Sequence, residues 1–259
     1  MNKLVTIDLW QTIMGESDFS AFSPNRRKLK CEAIYDYLKK IHNDLVYEDV
    51  ESSHDYVVSL IAKYSRFHSD LLFKEWLILL IKKIDINNKI NLNSQQIKNL
   101  GNIIDEIFIS YPPDIFEGTS DFLDYLRGND YKVGIISNTG FNSPESYKKL
   151  LKKNNIFFDV LSLSNELGIA KPNSKIFTQT LGKVNIEPAH SIHIGDNPVA
   201  DVLGAINIGM DAILISKAGR TKPVNNKVHQ VIDNIGLAKE SILSWSEKFP
   251  KRKYWKENY

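Results

Sequence analysis

Asp8, Ser137, Lys171, Asp196 and Asp201 are the residues of this sequence whose types and surroundings point to chemistry. Three of them stand where an apolar run stops. Leu4-Val5-Thr6-Ile7 runs into Asp8, Tyr131-Lys132-Val133-Gly134-Ile135-Ile136 into Ser137-Asn138, and Ser191-Ile192-His193-Ile194 into Gly195-Asp196-Asn197. Runs this rich in apolar and β-branched residues read as strands buried on both faces, the kind found inside parallel sheets, where chemistry sits at the carboxyl ends of the strands. Three polar strand ends therefore predict one site. Asp8, a carboxylate with nowhere apolar to go, is the candidate nucleophile. Asp8 and Asp196, at the ends of neighbouring strands, could share a divalent ion through hard oxygen ligands.

Taken singly, each residue has a plainer reading. Asp8 could cap a strand end, Lys171 before Pro172 could be a solvated loop lysine, and Ser137-Asn138 could be turn formers, since both types hydrogen-bond locally. Asp196 after a glycine could also be a turn, although Asp201 five residues later argues against it. His193, inside a strand, reads as a packed core histidine and not a ligand.

The elements that must position these strand ends alternate in type. After Gly15 and a polar segment through Pro24, the apolar period becomes helical. Ile34, Tyr37, Leu38 and Ile41 recur at helical spacing, as do Val57, Leu60, Ile61 and Tyr64, then Phe73, Trp76, Leu77 and Leu80, then Ile97, Leu100, Ile104 and Ile107. Tyr111-Pro112-Pro113 breaks that pattern. A short helix then opens at Gly118-Thr119-Ser120 and precedes the strand into Ser137. Further on, helices are expected near 146–151, 174–181, 201–208 and 235–245, and strands near 157–163, 211–215 and 228–232. Strands alternating with helices predict an α/β fold, a doubly wound parallel sheet over 1–18 and 111–259, with a helical domain inserted at 19–110.

Composition fits that reading. With 259 residues, 42% hydrophobic and 25% charged, the chain suits a globular core plus a second domain. No stretch approaches the roughly 20 apolar residues of a membrane span, and no signal peptide is recognised at the N-terminus, so a cytoplasmic protein is expected. The single cysteine, Cys31, can form no internal disulfide and suits a buried thiol. A formal charge of +2 gives no argument for nucleic acid. The basic, aromatic tail over 248–259 reads as a solvated tail, with an anion or partner as the sharper alternative.

Together the motifs resemble the haloacid dehalogenase-like superfamily, whose members are mostly magnesium-dependent phosphohydrolases with an aspartate nucleophile. Asp8 with Thr12 is similar to the first motif, Ser137 to the second, Lys171 in Gly168-Ile169-Ala170-Lys171-Pro172-Asn173 to the third, and Gly195-Asp196-Asn197 followed by Asp201 to the fourth. In this order they span most of the chain. The resemblance implies a Rossmann-like core with a helical cap that lies over the site and chooses the substrate, a phosphorylated small molecule. It implies an aspartyl-phosphate on Asp8, and Mg2+ held by Asp8, Asp196 and the backbone carbonyl of Trp10. It further implies a Ser137 donor to a phosphoryl oxygen and a Lys171 charge beside the nucleophile. Asp201 would orient Lys171 or a metal-bound water, Asn197 would support the loop, and Thr12, Asn138 and Trp10 would lie on the substrate side.

One position departs from the pattern. Phosphatases of the family carry a second aspartate two residues after the nucleophile, where this chain has Trp10. An indole has one N–H donor and no titratable proton near neutral pH, so it cannot protonate a leaving alkoxide and then activate water. Such help contributes typically about 10²–10⁴-fold. Three readings stay open: a hydrolase for phosphates with good leaving groups or with another acid, altered chemistry like that of dehalogenases or phosphonate hydrolases, and a non-catalytic binding or regulatory protein.

Overall fold

The computed structural model describes residues 2–16, 22–85, 90–217, 222 and 228–249. The first buried run forms β1 (Leu4–Ile7), with all four side chains buried. It lies at the centre of a six-stranded sheet with β4 (Lys132–Ser137), β5 (Val160–Leu163), β6 (Ser191–Gly195), β7 (Asp211–Ile215) and β8 (Gln230–Ile232), ordered β5-β4-β1-β6-β7-β8. Every pairing in it is parallel. The register sets Ile7 beside Ile135 on one side and Ile194 on the other. The strands carrying Asp8, Ser137 and Asp196 are therefore neighbours that end at one edge.

Period-two alternation gives the sheet two buried faces. Val5, Ile7, Ile135 and Ile194 share a cluster with Phe122, Leu150 and Trp245, which belong to α5 (Thr119–Gly128), α6 (Pro144–Lys153) and α10 (Ala238–Ser246). Leu4, Ile136, Ala212 and Leu214 face the other way, onto Ile176 and Phe177 of α8 (Ser174–Val184) and Val202. Helix starts follow local chemistry. Ser143 accepts from the Ser146 N–H with Pro144 in the first turn, and Asn173 accepts from the Lys175 N–H, both ordinary N-caps.

Between β1 and β4 lie α1 (Phe22–Lys39), α2 (Tyr47–Arg66), α3 (Phe73–Ile84) and α4 (Ser94–Ser110), which pack around their own cluster of Ile34, Val57, Trp76, Leu80, Leu100 and Ile104. Two differences from the expected stripes follow from packing. Ile41 lies beyond α1 and is exposed, and on α4 the buried residue is Phe108, one place past Ile107, because it joins the sheet-side core. The two connections out of this helical layer pair with each other, β2 (Met14–Gly15) antiparallel to β3 (Asp114–Ile115). The sequence also predicts hinges of the inserted domain near Gly15–Ser20 and near Tyr111; residues 17–20 of the first, like the tail beyond 249, lie outside the described residues.

Other boundaries shift by a few residues. The third strand is confined to β5 and hands directly to α7 (Ser164–Leu167). The helix expected over 201–208 starts earlier, as a π-helical stretch over Pro198–Leu203, and continues as α9 (Gly204–Ile206). No helix among the described residues is long and apolar enough to cross a membrane.

Candidate active site

The Asp8 N–H donates to the Ile194 carbonyl at 2.9 Å, which extends the β1–β6 pairing one residue and fixes the carboxylate at the strand's end. Lys171 arrives from the loop after α7. Its Nζ donates to Asp8 Oδ1 at 2.6 Å, to Asp201 Oδ1 at 2.6 Å and to the Ile136 carbonyl at 2.7 Å. All three ammonium protons are thereby used. Asn138 holds that loop in place: its Oδ1 accepts from the Lys171 N–H at 2.7 Å, and its Nδ2 donates to the Lys171 carbonyl and to Ser65 Oγ of α2.

Asp201 is saturated. Oδ2 accepts from the Asn197 N–H at 2.9 Å, and Oδ1 takes His193 Nε2 at 3.1 Å besides Lys171. Burial pushes the His193 pKa down, which favours the neutral ring. Its Nε2–H then donates to Asp201, while Nδ1 accepts the Thr6 hydroxyl at 2.8 Å. Gly195 makes this approach possible, since a Cβ there would lie 2.2 Å from Asp201 Cγ. Asn197 caps the turn, its Oδ1 accepting from the N–H groups of Val199 and Ala200.

Oxygens of Asp8, Asp196 and Asp201 lie within 4.8 Å of one another, a group that could hold a metal ion. Their electrostatics diverge. Burial raises Asp8 to about 6, with the Asp201 charge adding and Lys171 and Ser137 opposing. Burial and the charges of Asp8 and Asp201 raise Asp196 to about 7. Burial opposes ionisation of Asp201 too, but Lys171 and His193 outweigh it and hold its carboxyl well below the usual range. The same two carboxylates keep the Lys171 ammonium above its ordinary value against its burial. The lysine is therefore a fixed cation, and Asp8 and Asp196 are carboxylates crowded into want of another.

The other expected residues fall out as follows. The Ser137 hydroxyl is buried beside Asp8 and donates to the Asn138 carbonyl at 3.2 Å. The Thr12 hydroxyl is buried and has no partner among the described residues. Trp10 is half-buried, with its ring against Phe108 and edge-on to Tyr147. Its Nε1–H donates to Tyr147 Oη at 3.3 Å, and that oxygen also accepts from the Gly140 N–H. Sequence reasoning placed His193 in the core correctly and missed that it ties Asp201 to Thr6. The available signal was two polar residues, Thr6 and His193, inside otherwise apolar strands and directly paired in register. Tyr147, on an amphipathic helix, carried no such signal.

Fold and site thus define a doubly wound α/β protein with a lysine-bridged aspartate site at the carboxyl edge of its sheet. The description "haloacid dehalogenase-like hydrolase" matches residues 77–215. The chain belongs to that family. It is similar to the glyceraldehyde 3-phosphate phosphatase of Methanothermobacter thermautotrophicus, 35% identical over 132 residues covering 49% of this chain and 58% of the relative. It is also similar to a pyrimidine 5'-nucleotidase of Escherichia coli, 33% identical over 124 residues covering 46% of this chain and 54% of the relative. The chain thus spans a little over half the length of these curated relatives. Among solved structures, a 2-haloacid dehalogenase of Pseudomonas syringae superposes with a TM-score of 0.66 at 20% identity, covering 95% of this chain and 100% of that one. That likeness speaks to the fold.

Proposed function

We propose that the protein is a magnesium-dependent hydrolase of a phosphorylated small molecule, working through an aspartyl-phosphate on Asp8. The observation that carries this is the Lys171 ammonium bonded at 2.6 Å to both Asp8 and Asp201, beside a third carboxylate that burial keeps in need of a cation. A strand-end turn has no physical reason to bury such a set.

The donor set fits the ion. Asp201 has both oxygens engaged, so Asp8 and Asp196 would hold Mg2+ together with the Trp10 carbonyl, all hard oxygens. The ion would neutralise charge on the phosphoryl oxygens. The Asp8 carboxylate attacks phosphorus, the bond to the ester oxygen breaks as the bond to Asp8 forms, and water then cleaves the acyl phosphate. Ser137 donates to a phosphoryl oxygen, and Lys171 keeps Asp8 ionised and aimed. Asn138 and Asn197 hold the loops, and the Thr12 hydroxyl, unpartnered among the described residues, would lie on the substrate side.

Trp10 narrows the substrate. Its one N–H is engaged by Tyr147, so leaving groups that depart without a proton are favoured, or the acid comes from the helical layer. We further propose that residues 19–110 act as a cap, with the β2–β3 pair as its base. Names of the two relatives, a glyceraldehyde 3-phosphate phosphatase and a pyrimidine 5'-nucleotidase, support a phosphorylated small-molecule substrate. A screen of phosphate esters and haloacids with and without magnesium tests the reading. Magnesium-dependent phosphate release is expected; halide release without metal would instead make the protein a dehalogenase.

A further inference from the structure

A cavity of about 390 Å³ lies between α1, α2 and the loop that follows Ser137. It is lined by Trp10, two residues past Asp8, and by Gly140–Asn142 of the loop that follows Ser137. Three cations line it. Arg27 is paired with Glu51 and Asp55, and Arg26 with Glu16. Lys30 differs. It is buried, and its Nζ donates only to neutral oxygens, the Phe141 carbonyl at 3.1 Å and Asn142 Oδ1 at 2.8 Å. No carboxylate among the described residues pairs with it, and one of its three N–H donors is unused. His54 lines the same cavity: its Nδ1 faces Asp55 Oδ1 at 3.5 Å, and its buried Nε2 has no partner.

A buried ammonium met only by neutral acceptors is unfavourable, and so is a buried ring nitrogen without a partner. The ammonium's shortfall is relieved by an anion in the cavity that Lys30 lines; the His54 ring, with its Nδ1–H turned to Asp55, offers only an acceptor at Nε2 and adds no donor for an anion. We propose that this cavity holds the organic part of the substrate and selects a compact anionic head group there, bound by Lys30. Burial, with the charge of Arg26 behind it, lowers Lys30 to about 7. An arriving anion reverses that by supplying the missing countercharge. Phe108, Phe141 and Trp10 form the apolar walls along which the chain between phosphate and anion would lie. The proposal rests on the hydrolase reading and deepens it: the substrate is a phosphate ester with a second negative group at its far end.

The test compares phosphomonoesters of linear hydroxy acids of two to five carbons with their neutral diol and bisphosphate counterparts. The full-length protein is used with magnesium, reading kcat and KM separately. At the best length, an anionic far end is expected to be favoured about 10- to 100-fold in kcat/KM, the worth of one charge-assisted hydrogen bond. Lys30→Gln, which keeps a donor and removes the charge, is expected to abolish the preference through KM, and Lys30→Arg to restore part of it. Carboxylate against phosphate at the far end tells which anion fits. Calorimetry of the same esters on Asp8→Asn reads binding without turnover, and thermal melts check that each variant is folded. Lys30-dependent binding of the anionic esters without turnover by the parent would uphold the subsite and overturn the hydrolase reading. No anion preference at any length, or a preference that survives in folded Lys30→Gln, would overturn the subsite.

Discussion

Lys171→Met removes the one cation that, among the described residues, bonds both Asp8 and Asp201, and leaves a side chain of similar length. In the parent, one ammonium with 2% exposure bonds two carboxylates that are themselves 8% and 2% exposed at the side chain, so solvent screens little. Removing one partner of a buried pair typically costs about 3–5 kcal/mol, because the remaining charges are left uncompensated. That cost depends on pH in a definite direction. Without Lys171 the folded-state pKa of Asp8, already raised by burial, climbs further, and that of Asp201 rises from its depressed position to above its unfolded value. The folded variant then binds more protons than its unfolded chain, and stability falls as pH rises. Each extra proton is worth about 1.4 kcal/mol per pH unit across that window. Urea unfolding without metal, at pH 5.5 and pH 8, is the assay. The deficit relative to the parent should be near its full value at pH 8 and clearly smaller at pH 5.5. A variant as stable as the parent at pH 8, or one whose deficit grows on acidification, would refute the reasoning.

Three further outcomes follow from the site. Magnesium affinity should weaken as pH falls through about 7 and then about 6, because Asp196 and then Asp8 must lose a proton to ligate; calorimetry across pH 5 to 8 should also show near-complete loss in Asp196→Asn, and a flat profile would remove these carboxylates as ligands. Trp10→Asp should raise alkyl relative to aryl phosphate turnover, up to the about 10²–10⁴-fold of general acid–base help, at a stability loss below the about 3–5 kcal/mol of a fully buried aromatic. A parent that already hydrolyses both alike takes its acid from elsewhere. Gly195→Ala should destabilise by about 1–3 kcal/mol through overpacking against Asp201 and lower turnover, measured by melts and initial rates together.

Much of this was legible in the sequence because buried parallel strands write themselves as uninterrupted apolar runs, and each run here ended in a residue that does not belong in a core. Asp8, Ser137 and Asp196 could be placed at one sheet edge before any coordinates. Lys171 could be attached only by resemblance, since a loop lysine before a proline has no periodic signature. The short β2–β3 pairing was illegible because two-residue strands carry no alternation. The π-helical start at Pro198 was hidden by a capping Asn197 that reads equally as a turn. His193 was read as packing, which burial bears out, but its bond to Asp201 depends on register across β1 and β6. Lys30 and His54 sit within helical stripes whose charged members ordinarily face solvent, and only the fold turns them inward toward Trp10.

The claim that Asp8 is the nucleophile is tested most directly by rapid acid quench of the protein turning over acetyl phosphate with magnesium, followed by mass analysis of its peptides. The peptide containing Asp8 should carry one phosphoryl group that hydroxylamine removes, and Asp8→Asn should neither carry it nor release phosphate. Phosphate release by Asp8→Asn at the parent's rate, or the phosphoryl group on another residue, would contradict the account.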